Sequence, residues 1–333
     1  MLQRAGNTNG SPRPPRRTPA SRLLSPRLGL IVLGLFWCVD GLLKLQPYFF
    51  HHFASGVIDP NAAGQPVVIA DPIIWIGGLV KSHQSMFTVL AALAETSIGV
   101  GLLVRRTVKP ALLVSFAWAV NIWLTGEGLG GLFTGTAPDP LTGVIGTAPL
   151  YIVAGLLVWP REPDADTTGS RFGMLGERGA RLAWAALWLG AAALWLVPSN
   201  AGGAALKSAV SAAPSGASWL ASLQSDAAAA VVHSGITITV LLAVASAAIA
   251  LSILWVRGAR IALLVSVSIS LVFWVLAEGM GGLLTGQATD VGTGPLMILI
   301  AILLLPLASL RASAISRAPA RAPAVTQTEA SRA

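Results

Sequence analysis

The sequence predicts an all-α integral membrane protein of eight transmembrane helices, built as two parallel-repeat four-helix bundles with short external interfacial helices. Three observations predict it. The 333-residue chain is 54% hydrophobic and 11% charged, with a mean hydropathy of +0.71, outside the range of a soluble globular domain. Eight apolar runs approach the roughly 20 residues that a helix needs to cross about 30 Å of hydrocarbon. The chain also repeats itself at an offset of 151 residues, which makes each half one structural unit.

The elements follow in order. Residues 1–26, rich in Pro and Arg, read as a disordered basic tail. The first repeat, 27–160, holds spans over 28–46, 84–104, 110–126 and 143–160. A polar linker over 161–181 carries Arg161, Glu162, Pro163 and Asp164. The second repeat, 182–311, holds spans over 182–198, 229–255, 261–277 and 294–311, and 312–333 is a second disordered tail. Between the first two spans of each repeat lies an external segment. In the first, Asp71 before Pro72 reads as an N-cap with Pro at the first helical position, opening a short interfacial helix anchored by Trp75. Trp219 anchors its counterpart in the second.

A formal charge of +8 raises the question of nucleic acid, and the placement of the charge answers it. Nineteen of the 22 basic residues fall in the tails and in the 105–109, 161–181 and 257–260 loops. This is the asymmetry of cytoplasmic loops, so both termini are expected in the cytoplasm and no nucleic-acid partner is implied. Arg outnumbers Lys 18 to 4 amid abundant Ala and Gly, which points to a GC-rich bacterium and a place in its cytoplasmic membrane. The single Cys38 lies inside an apolar run, leaving neither a disulfide framework nor a Cys-x-x-Cys pair. The basic start before an apolar run resembles a signal peptide, but its copy at 182–198 is internal, so it is read as retained.

At the 151-residue offset Arg27 meets Arg178, Trp37 meets Trp188, Pro47 meets Pro198, and Ala111 to Ser115 meet the identical Ala262 to Ser266. The segment Glu127 to Gly135 meets Glu278 to Gly286, and Asp139, Thr142 and Gly143 meet Asp290, Thr293 and Gly294. Each copy holds an even number of spans, so both enter the membrane from the same side. The pseudo-axis then runs along the membrane normal, unlike that of inverted repeats.

Ionisable groups inside spans are costly and mark function by default. Here the copies differ. Asp40, Lys44, Glu95 and Asn121 of the first become Ala191, Trp195, Ser246 and Val272 in the second. At 1.5 Å per residue, Asp40, Glu95 and Asn121 all come out near mid-membrane, and Asp40 and Lys44 share a helical face. Two readings follow: a ligand or proton site, or a structural brace in which Lys44 compensates two acids. The glycine-rich segment with Glu127, Gly128, Gly130 and Gly131 is a candidate cofactor cradle, since glycines free backbone N–H groups for an anion or carbonyl. The same glycines also suit a tight connection between close helices, and no Gly-Lys-Ser/Thr follows to make a P-loop. His51, His52, His83 and His233 lie at predicted external positions without ligand spacing, so no metal site is assigned.

The Gly41-Leu42-Leu43-Lys44 sequence of the first span, the broken external segment after it and the glycine-rich turn before the fourth span resemble the DoxX-like group of four-helix bacterial membrane proteins. The resemblance covers each repeat in turn. It implies a quinone-facing pocket in the first repeat. The leading reading is a membrane-embedded subunit with a small-molecule or quinone site there, in which Asp40 or Glu95 exchanges a proton and Lys44 and Asn121 orient a polar head. A redox partner is expected, because the chain offers no ligand set for a redox group of its own. The alternatives are a proton-coupled small-molecule transporter and a non-catalytic membrane scaffold.

Overall fold

A computed structural model describes residues 25–135, 139–140, 145–161, 172–254 and 256–316, and every regular element among them is helical. Helices run α1 (Pro26–Leu43), α2 (Phe49–Phe53), α3 (Val67–Ser82), α4 (Gln84–Leu103), α5 (Val108–Thr125) and α6 (Ala148–Val158) in the first half. The second half continues with α7 (Gly176–Leu194), α8 (Gly203–Ala212), α9 (Ser218–Val231), α10 (Thr237–Ser252), α11 (Val256–Leu276) and α12 (Thr293–Ser316). Short 3-10 turns at Gly128–Gly131 and Gly279–Gly282 follow α5 and α11.

Four helices are long and apolar enough to cross a membrane: α1, α4, α5 and the Gly258–Leu276 part of α11. Their outward faces carry Leu35, Leu93, Leu113, Val114, Ile261 and Leu264, all exposed, an apolar belt suited to lipid rather than water. Of the other expected spans, two are short and one is broken. Ala148–Leu157 is apolar but short, whereas α12 runs 24 residues with an apolar stretch over Thr293–Ala308. In α7, Glu177, Arg178 and Arg181 occupy the first two turns, so its uncharged stretch from Leu182 to Leu194 covers only about 20 Å. The expected 229–255 span divides at Val232–Ser234 and Gly235, whose φ of 55° and ψ of −149° suit glycine alone. α9 and α10 meet there at 101°.

Other boundaries move for local reasons. The first span ends at Leu43 with Lys44 as its cap. The fourth is helical only over Ala148–Val158, ahead of Pro160. Asp71 is not a cap: α3 starts at Val67 and runs through Pro72, giving up one internal hydrogen bond there. Trp75 and Trp219 are both exposed, at 69% and 55%. Residues 1–24, 162–171 and 317–333 lie outside the described residues. Where they are described, the expected linker and second tail are partly helical, since α7 already starts at Gly176 and α12 continues through Ala312 to Ser316.

α1 packs most extensively on α4, and small residues make this possible. A Cβ on Gly34 would stand 2.9 Å from the Gly99 carbonyl oxygen, and one on Gly99 2.6 Å from that of Gly34. One continuous core then joins the halves, with Leu33, Trp37 and Tyr151 from the first and Trp184, Leu296 and Leu304 from the second. α12 packs against α6 and α1. A separate apolar cluster of Phe49, Phe53, Ile58, Ile73 and Val80 forms where the segment after α1 folds back over α4.

Candidate functional site

A cavity of about 270 Å³ opens in the first half, beneath the 49–82 segment. Its walls are apolar and aromatic, with Trp37 from α1, Phe53, Ile58 and Val80 from the covering segment, Phe87 from α4, and Trp118 and Ile122 from α5. Its polar lining includes Asp40, Lys44, Glu95, Glu127, Tyr151 and Asp290. Asp40, Lys44 and Glu95 are each at most 6% exposed.

The helices position these groups individually. Asp40 lies one turn from the end of α1 and Lys44 caps that helix. The Lys44 ammonium stands 3.1 Å from Glu95 Oε2 and donates to the Thr289 carbonyl. Trp118 Nε1 donates to Glu95 Oε1 at 3.2 Å. The Tyr151 hydroxyl donates to Asp40 Oδ2, while Asp40 Oδ1 accepts the Val291 N–H at 3.1 Å. Asp290 is fixed by its neighbours, accepting from the Thr289 hydroxyl and the Gly292 N–H at 2.8 Å each. The cluster of Asp40, Lys44 and Glu95 thus forms, and the second half closes it through residues 289–291.

Asn121 also lines the cavity, from an exposed position on α5, where its main-chain carbonyl accepts the Thr125 hydroxyl at 2.9 Å. The cavity extends from Trp37, Glu95 and Trp118, well inside their helices, to Thr125, Gly126 and Thr147 beside the glycine-rich connection.

Glu127 reaches the cavity, whereas Gly128, Gly130 and Gly131 build the connection behind it. Residues 128 to 131 all have positive φ, including Leu129 at 56°, a left-handed path that a side chain resists by about 1–2 kcal/mol per residue. A Cβ on Gly130 would come within 2.6 Å of the Ile145 oxygen. The Gly130 N–H is spent on the Glu127 carbonyl at 2.8 Å, and the Gly128 oxygen accepts from Gln65 at 2.6 Å. These glycines serve conformation and close packing.

Each half folds its repeated glutamate back onto the next helix. Glu127 Oε1 accepts the Thr147 and Ala148 N–H groups at 2.9 Å each. Glu278 Oε2 accepts the Thr293 N–H at 2.8 Å and the Gly294 N–H at 3.4 Å, and its Oε1 accepts the Thr293 hydroxyl. Glu127 and Thr147 are 20 residues apart and Glu278 and Thr293 only 15, so the first connection is five residues longer. The 151-residue pairing therefore ends after Gly135 and Gly286. Thr293 and Gly294 take the roles of Thr147 and Ala148, not of Thr142 and Gly143, which lie outside the described residues.

No family model, curated protein or solved structure matches this chain. The site must therefore be judged from its own geometry. Among the described residues no three of His, Cys, Asp and Glu converge as metal ligands would. A smaller cavity of about 60 Å³ occurs in the second half, lined by Ala191, Trp195 and Ser246 at the positions offset from Asp40, Lys44 and Glu95. The buried Trp195 indole occupies space that a ligand would need.

Sequence reasoning missed Tyr151, Trp118, Thr289 and Asp290. Tyr151 carried a usable signal, being one of two tyrosines in the chain and placed in an apolar run where a hydroxyl needs a partner. Thr289 and Asp290 carried none, since their approach to α1 spans 245 residues of chain and depends on how the halves pack.

Proposed function

We propose that this chain is a membrane-embedded protein whose first half binds a small molecule of apolar body and polar head, and that Asp40 or Glu95 exchanges a proton with it. One observation carries the reading: an aromatic-walled cavity of about 270 Å³ ends in a buried acid cluster with polar groups left unpaired. Its volume corresponds to roughly nine waters at about 30 Å³ each, or one ring-sized ligand. Trp37 Nε1 is buried without a hydrogen-bond partner, and Lys44, with three donors, donates to Thr289 beside its ion pair with Glu95. Buried unpaired donors are rare unless water or ligand satisfies them, and the Trp37 indole suits a carbonyl or hydroxyl head.

The resemblance to DoxX-like proteins supports a quinone as that ligand, with a partner protein to exchange its electrons. The excess of carboxylates over ammonium in the cavity supports a second reading, proton-coupled transport of a small molecule through the same site.

Menadione tests the first reading. It should bind saturably to purified protein, quenching part of the tryptophan fluorescence through Trp37 and Trp118. Asp40→Asn should weaken binding at least tenfold, about 1.4 kcal/mol, while Ser246→Ala leaves it unchanged. No saturable quenching up to about 1 mM would discard a quinone site.

We further infer that the two halves are tandem four-span units inserted in the same orientation, eight spans in all, with both termini in the bacterial cytoplasm. Positive φ at Leu129 (56°) and Met280 (58°) in matching turns and the basic-loop asymmetry support this. In a Cys38→Ser background, Cys introduced at Ser208 should react with an impermeant maleimide added to intact cells, and Cys at Ser170 should not. The reverse pattern would overturn the topology.

A further inference from the structure

The two connecting glutamates, equivalent in sequence, are not equivalent in chemistry. Glu278 has both carboxyl oxygens engaged, one by the Thr293 hydroxyl and the other by two backbone N–H groups. Glu127 has one oxygen engaged and the other, Oε2, buried without any hydrogen-bond partner. A side chain on Gly146 would strike that oxygen, just as one on Gly292 would strike Glu278 Oε2. Glu127 is part of the wall of the cavity of about 270 Å³, whereas Glu278 lines the smaller one of about 60 Å³. An oxygen in this position is satisfied by carrying a proton and donating it, or by accepting from whatever enters the cavity.

We propose that Glu127 is the proton-exchanging acid at the connection end of the cavity, a role that Glu278 has lost to internal hydrogen bonding. The inference rests on the cavity being a working site, and it adds a second protonation point beyond the Asp40 and Glu95 pair. The titratable groups sharing the cavity with Glu127 are Asp40 and Lys44 from α1, Glu95 from α4, Tyr151 from α6 and Asp290 from the second half. Burial, with the Asp290 carboxylate adding to it, raises the Glu127 carboxyl to about 8 against the opposing Ala148 and Thr147 N–H bonds. Glu278 is raised by burial to about 7. Glu127 therefore holds its proton through neutral pH and releases it just above, near the working range of a proton-transfer group.

Dicyclohexylcarbodiimide, an apolar reagent for protonated carboxyls, reads this state without any knowledge of the ligand. The acid O–H adds across one C=N bond of the reagent, the proton goes to nitrogen, and acyl migration leaves a stable N-acylurea that peptide mass spectrometry locates. In membranes holding the full chain, the adduct should form on Glu127 and not on Glu278. It should decline as pH rises through about 8 and disappear in Glu127→Gln, whose amide oxygen still accepts from Thr147 and Ala148. In Asp290→Asn the decline should move to lower pH, because a neighbouring negative charge is gone. Modification of Glu278 equal to that of Glu127, an adduct on other cavity acids alone, or no adduct at all would overturn the proposal. Failure of menadione to bind would leave the labelling pattern unaltered, so the two readings fail separately.

Discussion

Lys44→Met should lower the stability of the purified protein by about 3–5 kcal/mol, the usual cost of removing one partner from a buried ion pair. Met fills nearly the same space, so lost packing contributes little. What disappears is the cation beside Glu95 and the bond to the Thr289 carbonyl, leaving Asp40 and Glu95 buried with no compensating charge. Asp40→Leu, Lys44→Met and Glu95→Leu combined should recover much of the loss, because no buried charge remains to be balanced. Chemical denaturation in detergent measures both. A single variant within about 1 kcal/mol of wild type, the scale of an exposed pair, would show that Lys44 and Glu95 do not form a buried pair. If the triple variant is stable and still binds menadione as wild type does, the cluster is a brace and no ligand site.

The second large effect should come from glycines. A Cβ on Gly41 would stand 2.7 Å from the Ala92 oxygen and 2.8 Å from the Thr96 nitrogen, both backbone atoms of α4. Neither can swing aside. Gly41→Ala must push the helices apart, at a cost of about 1–3 kcal/mol for overpacking, and Gly41→Leu should leave little folded protein in the membrane. Moving α1 also shifts the adjacent Asp40, so Gly41→Ala should weaken menadione binding along with stability. The second half carries Ala192 and Ala250 where the first has Gly41 and Gly99. Ala192→Gly should therefore change stability by no more than the roughly 1 kcal/mol of helix propensity. Thermal unfolding followed by circular dichroism separates the cases, and a Gly41→Ala protein as stable as wild type would contradict the close crossing.

Much of the site was legible in the chain because its members are costly where they stand. Asp40, Lys44 and Glu95 stood out as ionisable groups in apolar runs, and their replacement by Ala191, Trp195 and Ser246 in the second copy directed attention to the first half. That the larger cavity occurs with the acids and the smaller one with the buried Trp195 agrees with that contrast. Asn121 was placed by depth alone and lines the cavity from an exposed position. Gly128, Gly130 and Gly131 were legible as a special backbone, but residue type does not distinguish a cradle for a ligand from a left-handed turn packed against Asn61 and Ile145.

By itself the sequence determined the helical class, the apolar helices and the acid cluster, because hydrophobic run length, periodicity and buried charge are properties of neighbouring residues. Tertiary structure alone decided how these parts meet. Tyr151 reaches Asp40 across 111 residues and Val291 reaches it across 251, contacts that no local pattern encodes. It also decided that Glu127 keeps a free oxygen while Glu278 does not, since the difference lies in whether one threonine hydroxyl turns toward the carboxylate. Such outcomes follow from how whole helices and halves pack, and packing is settled by shape complementarity over the entire core.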